Sequence, residues 1–182
     1  MRLAPTEVNG AFVVDLEPHE DERGVFARTF DAQVFADHGM EPLIAQANMS
    51  INHRAGTLRG LHRQVPPHAE AKLVRCVAGT VVDVAVDIRP GSPTYGRYAM
   101  VELSAANHRA FYLPPYVLHG YQSLTDSTEV HYQVSGPYVP GAEEGYRFDD
   151  PFFAVPWPMP PTDMSAKDAA WPAYTPQRTD IS

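Results

Sequence analysis

The chain has 182 residues, 44% of them hydrophobic, and a formal net charge of −8, the size of one globular domain that can bury its own core. Acidic residues outnumber basic ones, 22 to 14, which argues against a nucleic-acid surface, since that needs a basic footprint. One cysteine, Cys76, excludes an internal disulfide, and no apolar run nears the roughly 18 residues of a membrane-spanning helix. The opening MRLAPTEVNG has no basic stretch leading into an apolar one, which predicts a cytoplasmic protein.

Strand signals follow one another closely. Gly10–Asp15 is a short apolar run. Gly24–Phe30 alternates, with Val25, Ala27 and Thr29 on one face and Phe26, Arg28 and Phe30 on the other. Asp31–His38 reads as a helix capped by Asp31 and stopped by Gly39. Ile44–Asn52 is polar but alternating. Lys72–Val77 leads through Gly79 to Val81–Ile88. There Val82, Val84, Val86 and Ile88 share one face, and Val81, Asp83, Ala85 and Asp87 the other. Arg89–Pro93 is a turn. Tyr95–Leu103, Ala110–Leu113, Gly120–Leu124 and Glu129–Val134 continue the series. From Pro151 onward come seven prolines, one helical turn near Ser165–Ala170, and the packing residues Phe152, Phe153, Trp157 and Trp171. Short strands with turn signals and no βαβ alternation predict an all-β fold, a double-sheet jelly roll with a few short helices. It is read as one domain over 1–182, with 151–182 as an irregular proline-rich segment lying on it.

Several constellations could carry chemistry. Gly56–His62 is either a turn with a surface Arg59 and a half-buried His62, or backbone held close to a ligand at Gly60. Lys72, one of two lysines, shares its strand face with Val74 and Cys76. An inward lysine is costly unless paired, so Lys72 either marks a site, with Asp83 as partner, or snorkels from an edge strand. Tyr132 shares a face with Val130 and points inward, as a core tyrosine or as a reactive one. His62 is followed by Arg63 and Gln64, so a His-x-His metal pair is missing and no metal site is expected. Neither a phosphate-cradling glycine loop nor a serine-nucleophile elbow is present.

Taken in order, the segments Asp21–Phe26, Gln46–Ser50, Leu58–His62 with Gln64, Lys72–Gly79 and Asp83–Asp87 with Gly91–Pro93 form a recognisable series. It continues through His119–Gly120, Tyr132, Asp149–Pro151, Trp157–Pro158 and Ser165–Asp168. Jointly they resemble the dTDP-4-dehydrorhamnose 3,5-epimerase family of cupin-type sugar-nucleotide epimerases. The resemblance implies a homodimeric, cupin-like jelly roll that needs no cofactor. It implies inversion of carbons beside the ketone of a nucleotide-diphosphate 4-keto-6-deoxy sugar. His62 matches the general base, Tyr132 the acid on the other face of the ring, Asp168 the carboxylate behind the base and Lys72 a lysine near the ketone. Arg23, Gln46, Asn48, Arg59, His119, Glu143 and Lys167 match nucleotide-sugar contacts, Phe26 belongs to the same substrate set, and Tyr138 matches the aromatic that stacks on the base. The chemistry needs these types. Enolate charge must be stabilised as it forms, a near-neutral imidazole can take the proton, and arginines grip diphosphate as forks.

The sequence departs from the family at Arg28, where glutamate is usual, at Arg63, where an aromatic is usual, and at Gly136–Pro137. Arg28, on the face of Phe26 and Phe30, is expected to point into the site and tune nucleotide choice. Two further readings stand beside the 3,5-epimerase: a 3- or 5-only epimerase on a different nucleotide sugar, and a non-catalytic sugar-binding jelly roll.

Overall fold

The computed structural model describes residues 1–176. In chain order they form β1 (Arg2–Pro5), β2 (Phe12–Asp15), β3 (His19–Asp21), β4 (Gly24–Phe26), α1 (Ala32–Asp37), β5 (Gln46–Asn52), β6 (Thr57–Gln64) and β7 (Lys72–Ala78). Then follow β8 (Thr80–Val86), β9 (Tyr98–Ser104), β10 (Ala110–Leu113), β11 (Leu118–Ser123), β12 (Thr128–Val134), β13 (Glu143–Gly145), β14 (Asp163–Met164) and α2 (Ala166–Ala169). Two sheets face each other. The first runs β1-β2-β10-β7-β12-β5 and the second β13-β6-β11-β8-β9, with β14 added parallel to β6. Strands β3 and β4 pair only with each other, as a ribbon. The protein is an all-β, cupin-like double sheet.

Between the sheets lie Val74, Cys76, Phe111 and Val130 from the first and Val81, Ala85, Val101 and Tyr121 from the second, all buried. The valine run of β8 is buried on its other face as well. There Val82, Val84 and Val86 meet Leu61, Leu118, Phe153 and Val155, with Trp157 and Tyr174 packed alongside. Thus Phe153, Val155, Trp157 and Tyr174 lie against the outside of the second sheet. That double burial explains why the run carries apolar residues at nearly every position. Residues 177–182 of the segment lie outside the described residues.

The outside of the first sheet is covered at one end only. Asp31 caps α1, accepting from the backbone N–H of Gln33 and Val34. Phe30 precedes the cap and meets Phe35 edge-on at 4.9 Å, a staple that fixes how the chain enters the helix. Phe35 in turn packs on Tyr112, Leu73 and Val14. At the other end Met49, Ile51 and Val77 stay exposed.

Several expectations need correction. The strand expected over Gly24–Phe30 stops at Phe26, because Phe30 is taken by the staple and Arg28 by Asp31. Within Gly56–His62 only Gly56 belongs to a turn; Thr57–His62 is most of β6. Lys72 is not on an edge strand, since β7 lies between β10 and β12. The short strands β1, β3, β13 and β14 lack enough alternation to be read from sequence.

Candidate active site

The second sheet forms one wall of a cleft, and its shape depends on two glycines. In an even pleat, Arg59 and His62 would point to opposite faces. Here the register of β11 against β6 slips between His119, opposite His62, and Tyr121, opposite Arg59. Gly60 sits at the slip with φ +108°, and a Cβ there would lie 2.5 Å from the His119 carbonyl oxygen. A Cβ on Gly120 would lie 2.7 Å from the Arg59 carbonyl oxygen. Two glycines therefore let the strands cross at close range, and the bulge turns Arg59 and His62 to the same side. Both line the inner end of the cleft with His119 and Tyr121.

The first sheet forms the opposite wall, by plain alternation. Lys72 on β7 and Tyr132 on β12 point inward, with Gln46 and Asn48 of β5 beside them. The inner compartment holds about 140 Å³ and the outer one about 340 Å³; His62, Lys72 and Tyr132 line both. Lys72 pairs with Glu70, Nζ to Oε1 at 3.4 Å. The expected partner, Asp83, is buried deeper and accepts from His119 Nε2 at 2.6 Å instead.

The chain after β14 closes the site. Ser165 caps α2 through the Asp168 backbone N–H. Asp168 Oδ1 lies 3.7 Å from His62 Nδ1 and accepts from Trp171 Nε1 at 3.2 Å. Gly145 leaves room for that indole, since a Cβ there would meet Trp171 at 2.4 Å. Glu143 on β13 accepts from Lys167 Nζ and from the Tyr138 hydroxyl. The Tyr138 backbone N–H donates to Gln46 Oε1 at 3.0 Å, and its ring is 56% exposed at the mouth.

The surroundings tune the titrating groups. Burial pushes His62 below its ordinary value of 6.5; Asp168 pulls it back up, and the nearby charges of Lys72 and His119 push it further down. Its imidazole is therefore neutral and ready to accept a proton at neutral pH. Burial raises Asp168, but the nearby polar groups of His62, Ser165 and Trp171 outweigh it and hold the carboxylate below its usual range. Burial lifts the Tyr132 phenol, reinforced by Tyr121, Glu143 and Glu70 against the pull of Arg59, so it keeps its proton. The cleft offers an acceptor on one wall and a donor and an ammonium on the other.

The cleft gathers His62, Tyr132, Lys72, Gln46, Asn48, Arg59, His119, Tyr138 and Glu143, with Asp168 behind His62 and Lys167 on Glu143. Arg23, Phe26 and Arg28 stand elsewhere. Arg23 forks onto Asp21 within the ribbon, Phe26 is 72% exposed, and Arg28 pairs with Asp31 at 2.7 Å. The expectation that Arg28 shares a strand face with Phe26 and Phe30 is corrected, since the strand has already ended. Sequence reasoning missed Glu70, although its place two residues before Lys72 on an extended chain was a usable sign. Among the described residues no cluster of three or more His, Cys, Asp or Glu is placed to hold a metal ion. No described helix is long and apolar enough to cross a membrane.

Residues 5–175 match the family model described as dTDP-4-dehydrorhamnose 3,5-epimerase. A protein of that name from Methanothermobacter thermautotrophicus is 39% identical over 175 residues, covering 93% of this chain and 92% of its own. The crystal structure of dTDP-4-dehydrorhamnose 3,5-epimerase from Elizabethkingia anophelis superposes with TM-score 0.92 at 36% identity, covering 96% of each chain. A 3'-monoepimerase from Streptomyces bikiniensis, solved in complex with dTDP-quinovose, superposes with TM-score 0.85 at 34% identity, covering 93% of this chain and 86% of that one.

Proposed function

The chain belongs to the dTDP-4-dehydrorhamnose 3,5-epimerase family, and from that premise we propose that it epimerises a dTDP-linked 4-keto-6-deoxyhexose. One observation carries the reading: His62 and Tyr132 stand on opposite sheets across one cleft. A sugar ring lying between the sheets meets a proton acceptor on one face and a proton donor on the other, which is what inversion requires.

His62, neutral and backed by Asp168, takes the proton from a carbon beside the ketone. The electron pair left by that C–H bond moves into the ring, giving an enolate whose oxygen charge Lys72 stabilises. Tyr132 then delivers its phenolic proton to the same carbon from the opposite face, and the C=O bond re-forms. The enzyme ends as imidazolium and phenolate, and proton exchange with water restores both. C3 and C5 both flank the C4 ketone, so the same pair serves either carbon when the ring presents it. Arg59 and His119 face the sugar diphosphate from the inner end, and the exposed Tyr138 ring offers a stacking surface for the base, with Glu143 and Lys167 next to it.

Arg23, Phe26 and Arg28 do not reach the cleft of their own chain, so any part they take in binding runs through a second copy. The exposed Val25 and Phe26 of the ribbon and Met49, Ile51 and Val77 on the open sheet face support a homodimer that covers them. A nucleotide-linked substrate and a lone, unpaired cysteine fit the cytoplasm.

Incubating the protein in deuterated water with dTDP-4-keto-6-deoxyglucose tests the reading. Deuterium at C3 and C5 with inversion is expected. Deuterium at C3 alone makes it a monoepimerase, and binding without any incorporation makes it a sugar-binding jelly roll and sinks the enzymatic reading.

A further inference from the structure

We propose that Glu70 is a positioning residue that ties the ketone end of the cleft to its nucleotide end. It holds Lys72 on one side and, through Gln64, the segment bearing Tyr138 on the other. The inference deepens the epimerase reading and rests on it.

Glu70 is a carboxylate with a side chain only 6% exposed, and a buried charge persists only where it is paired and hydrogen-bonded. Both conditions are met, by two different partners. One oxygen lies 3.4 Å from Lys72 Nζ and the other accepts from Gln64 Nε2. Among the described residues no other carboxylate is paired with Lys72. Asp83 is bound to His119, Glu143 to Lys167 and Tyr138, and Asp168 to Trp171 beside His62.

The pair with Lys72 is long for a charge-assisted hydrogen bond. Lys72 Nζ makes no hydrogen bond among the described residues, so its N–H groups stay available to a ligand oxygen. A lysine side chain has four rotatable bonds, and an ammonium with no fixed counter-charge samples many positions. Glu70 thus fixes where the ammonium sits without occupying the donors that the enolate needs.

The link to Gln64 runs the other way. Gln64 is 4% exposed, and its amide nitrogen faces three acceptors: Glu70, the His68 carbonyl at 3.0 Å and the Pro137 carbonyl at 3.1 Å. Its amide oxygen accepts from the Val139 backbone N–H at 2.7 Å. Pro137 and Val139 flank Tyr138, so one buried amide clamps the stacking residue from both sides. Removing the Glu70 acceptor takes away one of the Gln64 amide's four anchors and loosens that clamp, while removing only its charge releases Lys72.

Two substitutions separate the two jobs. Glu70→Gln keeps an oxygen acceptor for Gln64 and removes the charge facing Lys72; Glu70→Ala removes both. For Glu70→Gln, kcat should fall about ten- to a hundredfold, the scale of misplacing one catalytic group, with KM and the calorimetric Kd for dTDP within about twofold. Glu70→Ala should add a several-fold rise in that Kd. On a Lys72→Met background, Glu70→Gln should cost nothing further, because its partner is gone. Wild-type kcat in Glu70→Gln, or a full additional loss on the Lys72→Met background, overturns the role toward Lys72. An unchanged dTDP affinity in Glu70→Ala overturns the link to Tyr138. Absence of deuterium incorporation by the wild-type protein overturns the epimerase reading and the role at the ketone with it, while the dTDP arm still judges the clamp.

Discussion

The two walls of the cleft are built by different rules. On the first sheet, Lys72 and Tyr132 reach the cleft because β7 and β12 pair without interruption from Lys72 to Cys76 and from Val130 to Val134, with Val74 and Val130 pointing the same way into the core; the one slip in that ladder, at Val77, lies beyond them. On the second sheet, Arg59 and His62 reach it because β6 breaks its pleat at Gly60. An even strand places every second residue and resists a small change at any of them. A bulged strand places two residues that alternation would separate, and concentrates that dependence on one glycine.

The sharpest way to separate the walls is to remove one proton-transfer group from each. His62→Ala should lower solvent deuterium incorporation by roughly 10²–10⁴, the usual worth of general base catalysis. Tyr132→Phe should leave incorporation measurable but return the deuteron from the His62 side, so that label enters without inversion. NMR of the recovered sugar distinguishes the outcomes, and equal loss of label in both variants would end the division of labour.

Asp168→Asn comes next. A neutral amide in place of the carboxylate leaves the His62 tautomer unfixed, and kcat should drop by about 10²–10⁴ with dTDP affinity retained. The pH profile carries the sign. His62 lies below 6.5 in the folded protein although Asp168 raises it. The acid limb of kcat/KM should therefore fall below pH 6.5 in the wild type and move to still lower pH in Asp168→Asn. A limb that moves upward would show that Asp168 does not act on His62.

Gly60→Ala tests the bulge itself. The backbone conformation alone costs about 1–3 kcal/mol for a residue with a Cβ, and a contact at 2.5 Å with backbone oxygen adds to it. Tm should fall by at least roughly 2–4 °C per kcal/mol for a chain of this size, with activity lost as His62 turns away. A Tm unchanged by calorimetry would mean that β6 does not need its glycine.

The smallest effect is expected at Arg28. Its side chain is 70% exposed and pairs with Asp31, an interaction worth about 0.2–1 kcal/mol. Arg28→Glu should shift Tm by a few degrees at most. A ten- to hundredfold change in preference between dTDP- and other nucleotide-linked substrates would show instead that Arg28 reaches a cleft, necessarily that of a second copy.

The same division explains what the sequence revealed. The inward faces of Lys72 and Tyr132 follow from period-two patterning, and the helix cap at Asp31 and the turn at Ser165 follow from side-chain chemistry. The common facing of Arg59 and His62 does not, because residues three apart fall on opposite faces of a regular strand, and only the resemblance marked both as site residues. For Lys72 the sequence offered Asp83 as counter-charge and Glu70 went unnoticed, because which carboxylate lies at the right depth in the sandwich is not encoded by patterning. Arg28 was misplaced because Phe30 counts equally well as a strand residue or as the staple of the helix that follows.

The docking of Trp171 against Gly145, with Asp168 beside it, has a consequence in time. Asp168 follows His62 by more than a hundred residues. On the proposed mechanism, a ribosome extending the chain from its N-terminus therefore makes the base long before the carboxylate that orients it. Through most of synthesis the nascent chain carries an unpartnered imidazole and cannot run the reaction at full rate. On that mechanism, full-rate epimerisation is expected only after translation has passed the tryptophan that seats Asp168.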